Sequence, residues 1–345
     1  MKEKYDAEKY KGSALFQIIL LGLFSIALIW VLSIPIEGFT STDEYPDIIP
    51  MTPQKIITFR GSPSDIQVGM HIKDIPEFDT VKGLFTVDLT LWFKFDPTII
   101  SLDRISKFTF DSTEVKYKSK PYTRIDGKKL VAHFDMKIIF SSQLSYDNFP
   151  FDDHTVSLSL THNFISPFEG MFKSSKFNLV ISPQIKIAGW KIIDKRIKLG
   201  YIKDILDPHD PKAQRLHPRI VFSIDFVREG ARHIVTILLP LLLVFFIALF
   251  TFTVNPKDAN VIMGISTAAI SAVIAQRFVM ASLSPESGSF MISDKIFFLF
   301  ITACFAIFFI NLLSAKITGF YKNIIALILY FFTFLTIIHI LKPLF

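Results

Sequence analysis

A chain of 345 residues that is 50% hydrophobic and carries 37 Phe is too apolar for a soluble protein of this size, and its apolar residues gather in five runs. The net charge of +6 comes mainly from scattered Lys, with no compact Lys/Arg cluster interleaved with aromatics, which argues against a nucleic-acid partner. The one cysteine, Cys304, cannot make an intrachain disulfide and reads as a small apolar residue of a helix.

Residues 1–36 open with a polar stretch holding Lys2, Lys4, Lys9 and Lys11, followed by an apolar run from Leu15 to about Ile34. The run is longer than the apolar core of a signal peptide, and Ser33 to Gly38 offers no small-x-small cleavage pair. We read it as a retained anchor helix, the alternative being a cleaved signal sequence. Either way the lysines place the N-terminus in the cytoplasm.

Residues 37–230 contain no segment able to span a bilayer, and their texture alternates. Leu84 to Trp92 and Ile220 to Phe226 read as strands with a period of two. Asp126-Gly127 lies between two strand-like runs and signals a tight hairpin. Recurrent strands with turn residues between them point to a β-sandwich. Residues 231–345 hold four further apolar runs, Ile234–Val254, Val261–Ala281, Ile296–Leu313 and Ile324–Leu341. Each is long enough to cross about 30 Å of hydrocarbon. The fold class expected is therefore an α+β membrane protein: a β-sandwich outside, a four-helix transmembrane domain, and an extra N-terminal helix. With the N-terminus inside, the β domain lies on the extracellular or periplasmic side of a plasma (inner) membrane. Lys257, Lys316 and Lys322 then fall inside, whereas Lys295 and Lys342 fall outside.

The run from Val261 to Ala281 is unusual in holding Ser266, Thr267, Ser271, Gln276 and Arg277. Polar groups in hydrocarbon face a bundle interior or water. At 100° per residue, Asp258, Ile262, Ser266, Ala269, Val273, Arg277 and Met280 form one stripe. That stripe fits a pore wall, with charge at each mouth and a hydroxyl within. Interhelical packing through Ser and Thr hydrogen bonds is the alternative. A pore also needs several copies around an axis.

At this point the chain resembles the pentameric ligand-gated ion channels, the Cys-loop receptor superfamily, in the manner of bacterial members without the loop cysteines. Phe149-Pro150-Phe151-Asp152 is similar to the signature at the tip of the namesake loop, with Ser142 and Val156 where its cysteines would stand. Arg228 twelve residues before Pro240 resembles the end of the last strand and the proline of the first pore-domain helix. Asp258-Ala259-Asn260-Val261 through Gly264-Ile265-Ser266-Thr267 resembles the start of the pore-lining helix, followed by Pro285 and Asp294-Lys295. Gly69 to Phe85, with Asp79 between, fits the first strand pair. The resemblance implies a homopentameric channel whose gating couples through Asp79, Phe149, Pro150, Phe151, Asp152, Arg228, Pro240 and Pro285. It also implies a narrow cytoplasmic mouth at Asp258. Ala259-Asn260 does not match the Pro-Ala insertion of anion-selective members, so permeating inorganic ions are expected to be cations, despite Arg277 at the other mouth. The aromatic box that binds amines is not recognisable.

Candidate stimulus-binding residues are His162, Trp190, Asp207, His209 and Asp210. The last three, with His217, could hold a divalent cation or sense protons, or simply form a solvated Pro-rich loop. Trp190 is equally readable as a core tryptophan. Glu77 and Asp79 could be sensor carboxylates or a charged turn, and His339 could be functional or interfacial. No Ser/His/Asp set, helical metal-ligand pair or Gly-rich phosphate loop occurs, so neither an enzyme nor a cofactor is expected. A bound metal and the identity of the stimulus (small molecule, proton or divalent cation) stay open. The rival to a channel is a non-conducting membrane-anchored sensor of the same fold. A transporter would need broken helices and internal repeats, which are not evident.

Overall fold

The computed structural model describes residues 2–52, 63–205, 214–255, 258–285, 287–313 and 319–344. The chain forms two compact units. One holds residues 1–40, 146–152 and 230–345; the other holds 41–145 and 153–229.

The second unit is built from two sheets. The first sheet has the order β1 (Ile49–Pro50), β11 (Trp190–Ile205), β12 (Gln214–Arg228), β8 (His154–Thr161), β4 (Thr109–Phe110). The other runs β10 (Leu179–Ile181), β2 (Ser64–Asp79), β3 (Leu84–Phe95), β7 (Lys129–Ser141), β5 (Thr113–Lys118). There β6 (Tyr122–Asp126) also pairs with β7, and β9 (Gly170–Lys173) with β2. Alternation sorts the strands as the sequence reads. Phe85, Val87, Leu89, Leu91, Phe93 and Phe95 of β3 share one core with Leu158 and Leu160 of β8 and with Phe222, Ile224 and Phe226 of β12. The hairpin signalled by Asp126-Gly127 joins β6 to β7, with Asp126 opposite Lys129 and Gly127 at φ +63°. Gly69 faces Trp92 across the β2–β3 pair, where a Cβ would meet the indole at 2.3 Å; glycine there lets the ring lie against the backbone.

The surprise in this unit is a strap. Residues 41–50 run over the outer face of the first sheet and end by pairing Ile49 with Tyr201. Asp43 is buried and accepts hydrogen bonds from the backbone N–H of Thr155 at 2.7 Å and of Ser145 at 2.6 Å, and pairs with His154 Nδ1 at 3.2 Å. The Tyr45 ring lies under Lys198 at 3.7 Å and Arg196 at 5.1 Å. All eight residues of β8 are consequently buried, although Thr155, Ser157, Ser159 and Thr161 point away from the core.

Among the described residues, the first unit contains five helices long and apolar enough to cross a membrane, which makes this a multi-pass membrane protein. They are α1 (Lys2–Ser33), α2 (Arg232–Phe250), α3 (Ala259–Leu283), α4 (Ile292–Leu313) and α5 (Gly319–Leu341). The N-terminal helix is packed among the others. Its Phe24 meets Phe245 of α2 and Tyr330 of α5 at 6.3 and 4.8 Å, and its Gln17 donates to Asn323 of α5 at 2.8 Å. Leu28 has no exposed surface.

Candidate functional site: the α3 helix and the 146–152 loop

The α3 stripe expected to face a pore is instead the packed face of that helix. Ile262, Ser266, Ala269, Val273 and Met280 are between 0 and 3% exposed, covered by the helices of their own chain. Here the polar residues bind other helices. Asn311 of α4 donates through Nδ2 to Ser266 Oγ at 2.9 Å and to Thr251 Oγ1 at 2.8 Å, a buried knot uniting the end of α2, α3 and α4. Pro240 lacks the N–H that would bond the Thr236 carbonyl within α2, and Gln276 of α3 reaches the adjacent carbonyl, that of Ile237, at 3.4 Å. Ser and Gln were therefore polar for the sake of interhelical bonds, the alternative that a single helix's pattern left open. A residue covered inside one chain cannot also line an axis shared by several. The corrected open face is diametrically opposite: Gly264, Thr267, Ser271, Ala275 and Phe278 are exposed and fall within one arc.

At the two ends of α3 the charges differ in their surroundings. Asp258 is exposed at the N-cap and makes no side-chain cap bond. Arg277 is half-exposed, pairs with the Asp294 carboxylate of α4 and lies over the Phe297 ring at 5.5 Å. One charge is open, the other matched.

The loop between β7 and β8 is the second feature. Its flanking strands belong to the β unit, yet Tyr146–Asp152 groups with the helices. The reason is a set of backbone bonds. A helix begins with N–H groups that have no intrahelical acceptor. Those at the start of α4 are taken by the loop, with Ile292 N–H donating to the Asp147 carbonyl at 3.0 Å and Ser293 N–H to the Phe149 carbonyl at 2.9 Å. The Phe149 ring stands edge-on to His233 of α2 at 5.2 Å. Asn148 donates to the Thr40 carbonyl at 2.8 Å, and the Thr40 hydroxyl donates to the carbonyl of Phe151. Phe149, Pro150, Phe151 and Asp152 are all buried, and the Phe149–Pro150 peptide is cis. Pro285, in the connection from α3 to α4, is also buried.

Within the β unit, Arg228 ends β12, its N–H donating to Asp153 at 2.9 Å and its guanidinium lying 4.4 Å from the Trp190 ring centre. Trp190 is a core residue, touching Phe78 and His154. Asp79 closes its own turn: it accepts from the Lys82 N–H at 3.0 Å, and that bond holds its carboxyl below the ordinary range. Glu77 accepts from Thr86 at 3.0 Å.

His162 is buried, donating from Nε2 to the Arg104 carbonyl at 2.8 Å while Nδ1 accepts from the Phe164 N–H at 3.3 Å. Both bonds suit the neutral ring, and burial lowers its pKa to about 4. Asp207, His209 and Asp210 lie outside the described residues. The loop 163–169 and the ends of β11 and β12 line a cleft of about 690 Å³ that includes Glu169, Tyr201, Lys203 and His217. His217 pairs with Asp204 at 3.2 Å. His339 is exposed on α5. Among the described residues, no three His, Cys, Asp or Glu are placed to hold a metal ion.

No family model matches the chain, and no curated protein matches it.

Proposed function

We propose that the chain is a subunit of a homopentameric, stimulus-gated channel for inorganic cations in the plasma (inner) membrane, with its β domain on the outer side. The observation that carries this reading is the 146–152 loop. A segment continuous with two strands of the β unit supplies the carbonyls that begin α4 and the ring that lies on α2. Any shift of those strands is transmitted along the backbone to helix termini, which is the linkage a gated membrane protein needs. Two sheets closed over one core, followed by α2 to α5, fit the sandwich and four-helix plan of the resembled channels. Coupling through Asp152 and Arg228, as the resemblance implies, belongs to the same reading, as does binding of the stimulus at the 690 Å³ cleft.

In this reading the pore is lined by the open face of α3, with Thr267 and Ser271 as its hydroxyls. Asp258 dominates selectivity because the charge of Arg277 is already met by Asp294. The buried polar knot gives one argument for the rival, a non-conducting sensor, since the residues expected to line a pore are spent on packing.

Cysteine accessibility in lipid bilayers tests the channel and its lining together. Cys304 is buried, so the unsubstituted chain is a quiet background for a charged thiol reagent. Currents are expected to be cation-selective, lost on modification of Thr267→Cys or Ser271→Cys, and unaffected by reagent at Val273→Cys. Currents blocked only at Val273→Cys would return the pore to the buried stripe. Silence from verified pentamers across pH, divalent cations and small metabolites would leave the sensor.

A further inference from the structure

The helical unit buries a charge that its own chain does not meet. Lys322, in the first turn of α5, is 6% exposed, and its ammonium has no hydrogen-bonded or ionic partner among the described residues. It does lie over the Phe252 ring, 5.7 Å from its centre, at the outer limit of a cation–π contact. Gln17 of α1, 1% exposed, donates from Nε2 to the next residue of α5, Asn323, and its Oε1 has no partner among the described residues. A buried cationic donor and a buried neutral acceptor thus stand unpaired where α1, residues 251–253 and α5 meet. Buried polar groups are ordinarily paired.

No described carboxylate balances Lys322. The acids of the helical unit whose side chains are described are Asp147, Asp152, Asp258 and Asp294. Asp294 pairs with Arg277, Asp147 accepts from the Ser289 hydroxyl, and Asp152 is buried in the 146–152 loop, all at the end where α4 begins. Asp258 shares the Lys322 end of the helices but is exposed at the cap of α3 and is not bonded to it. On α1 the acid nearest Gln17 is Glu8, nine residues earlier and about 13 Å along the helix axis. Lys257 and Lys316, in the connections at this end, lie outside the described residues and carry the same sign as Lys322.

The depth of Lys322 indicates the missing partner. The apolar span of α5 begins at Tyr321, which is 61% exposed, as suits an aromatic at headgroup level. A helix start presents N–H groups without intrahelical acceptors together with the positive end of its dipole, and side chains of the first turn lean back toward that end. The ammonium and the helix start therefore favour one anion at headgroup depth. Ionisable groups inside membrane bundles mark functional sites, and basic pockets between helices hold lipid headgroups. We infer that this corner binds the phosphate of an anionic phospholipid. Lys322 swings out on its flexible stem to meet the phosphate, and a headgroup hydroxyl donates to Gln17 Oε1. The site does not depend on the proposed conduction.

Melting of the full-length protein in nanodiscs of phosphatidylcholine, alone or with phosphatidylglycerol added, tests this. The wild type is expected to melt at least about 4 °C higher with phosphatidylglycerol, as a ligand of the folded state requires. Phosphatidylmethanol, which keeps the phosphodiester charge and lacks the headgroup hydroxyls, should give a smaller rise. Lys322→Met removes the charge at similar length. It should melt no lower than the wild type in phosphatidylcholine, because a buried charge without a partner is gone, and it should lose most of the rise. Gln17→Leu should respond equally to phosphatidylglycerol and phosphatidylmethanol. No rise in the wild type, or the same rise in Lys322→Met, overturns the assignment. So does a Lys322→Met protein that melts well below the wild type in phosphatidylcholine, since the ammonium would then already have its partner within the protein. A rise with inorganic phosphate in phosphatidylcholine nanodiscs, lost in Lys322→Met, would make this a site for the free anion instead.

Discussion

The two sheets of the β unit turn their backs on different environments, and their outward side chains differ accordingly. On the β3–β7 sheet the outward positions meet water and carry ion pairs: Lys73 with Asp135 at 2.6 Å, Lys94 with Asp126 at 2.6 Å, Lys137 with Asp88 at 3.6 Å. On the β8–β12 sheet the outward positions lie beneath the strap; those of β8 carry hydroxyls, with Thr155 bonded to Asp225 and Ser157 to Ser223, and the charges beside them are paired and largely buried, Asp225 with Arg196 and Arg219 with Asp111. Both sheets alternate identically in sequence, so the hydrophobic pattern does not distinguish them. The polar alphabet does. A hydroxyl can be buried once hydrogen-bonded at modest cost, whereas an unpaired charge cannot. A strand with one apolar face and one face of Ser and Thr is thus a strand covered on both sides.

Breaking the cover should produce the largest effect. Asp43→Ala leaves the Thr155 and Ser145 N–H groups and the buried His154 without their acceptor. Removing a buried charged acceptor of several donors costs about 3 kcal/mol or more. At roughly 2–4 °C per kcal/mol for a unit of this size, the apparent melting temperature should fall by about 6–12 °C. Asp43→Asn keeps one acceptor oxygen and should recover part of the loss. A melting temperature unchanged in the alanine variant would mean that the strap does not hold the sheet.

His162 sharpens the comparison through pH. It is held neutral with a pKa of about 4, against 6.5 when unfolded. Between those values the unfolded chain binds the proton and the folded chain does not. Stability should therefore fall as pH drops below about 6.5 and level off below about 4. The loss is on the order of 2 kcal/mol after allowing for partial solvent access. His162→Gln retains a donor for the Arg104 carbonyl and cannot titrate. Its melting profile should lack this component while the other histidines contribute equally to both proteins. Parallel profiles from pH 7 to 4 would remove His162 from the account.

Much of the fold was legible. The β3 and β12 alternation, the Asp126-Gly127 turn and the lengths of five apolar runs all correspond to observed elements. The strap was not, because Thr40 to Pro50 has neither helical nor strand periodicity; its role depends on partners more than a hundred residues away, such as Thr155 for Asp43. The facing of α3 was misread for a related reason. Polarity in an apolar helix reports that a group needs a partner, not whether that partner is water or Asn311. On the opposite side, Gly264 and Ala275 gave no signal. Burial of the 146–152 loop could have been suspected from two Phe within four residues, but not its capping of α4, which is made by carbonyls that every residue has.

The exposed sheet supplies the smallest effect, and it tests whether charge on the open face contributes to stability at all. Lys73 and Asp135 are both about half exposed, and Asp135 also accepts from the Thr90 hydroxyl, so removing the ammonium leaves the carboxylate with water and one donor. Attraction through water is weak, and ordering a lysine costs side-chain entropy, so such pairs contribute about 0–1 kcal/mol. Lys73→Ala should therefore lower the melting temperature by no more than about 2–4 °C, and the difference should vanish in about 1 M salt, where the screening length falls to roughly 3 Å. A loss approaching that of Asp43→Ala, persisting in salt, would mean that water does not reach this face. The contrast between an open sheet with exposed charges and a covered one with buried hydroxyls would then fail.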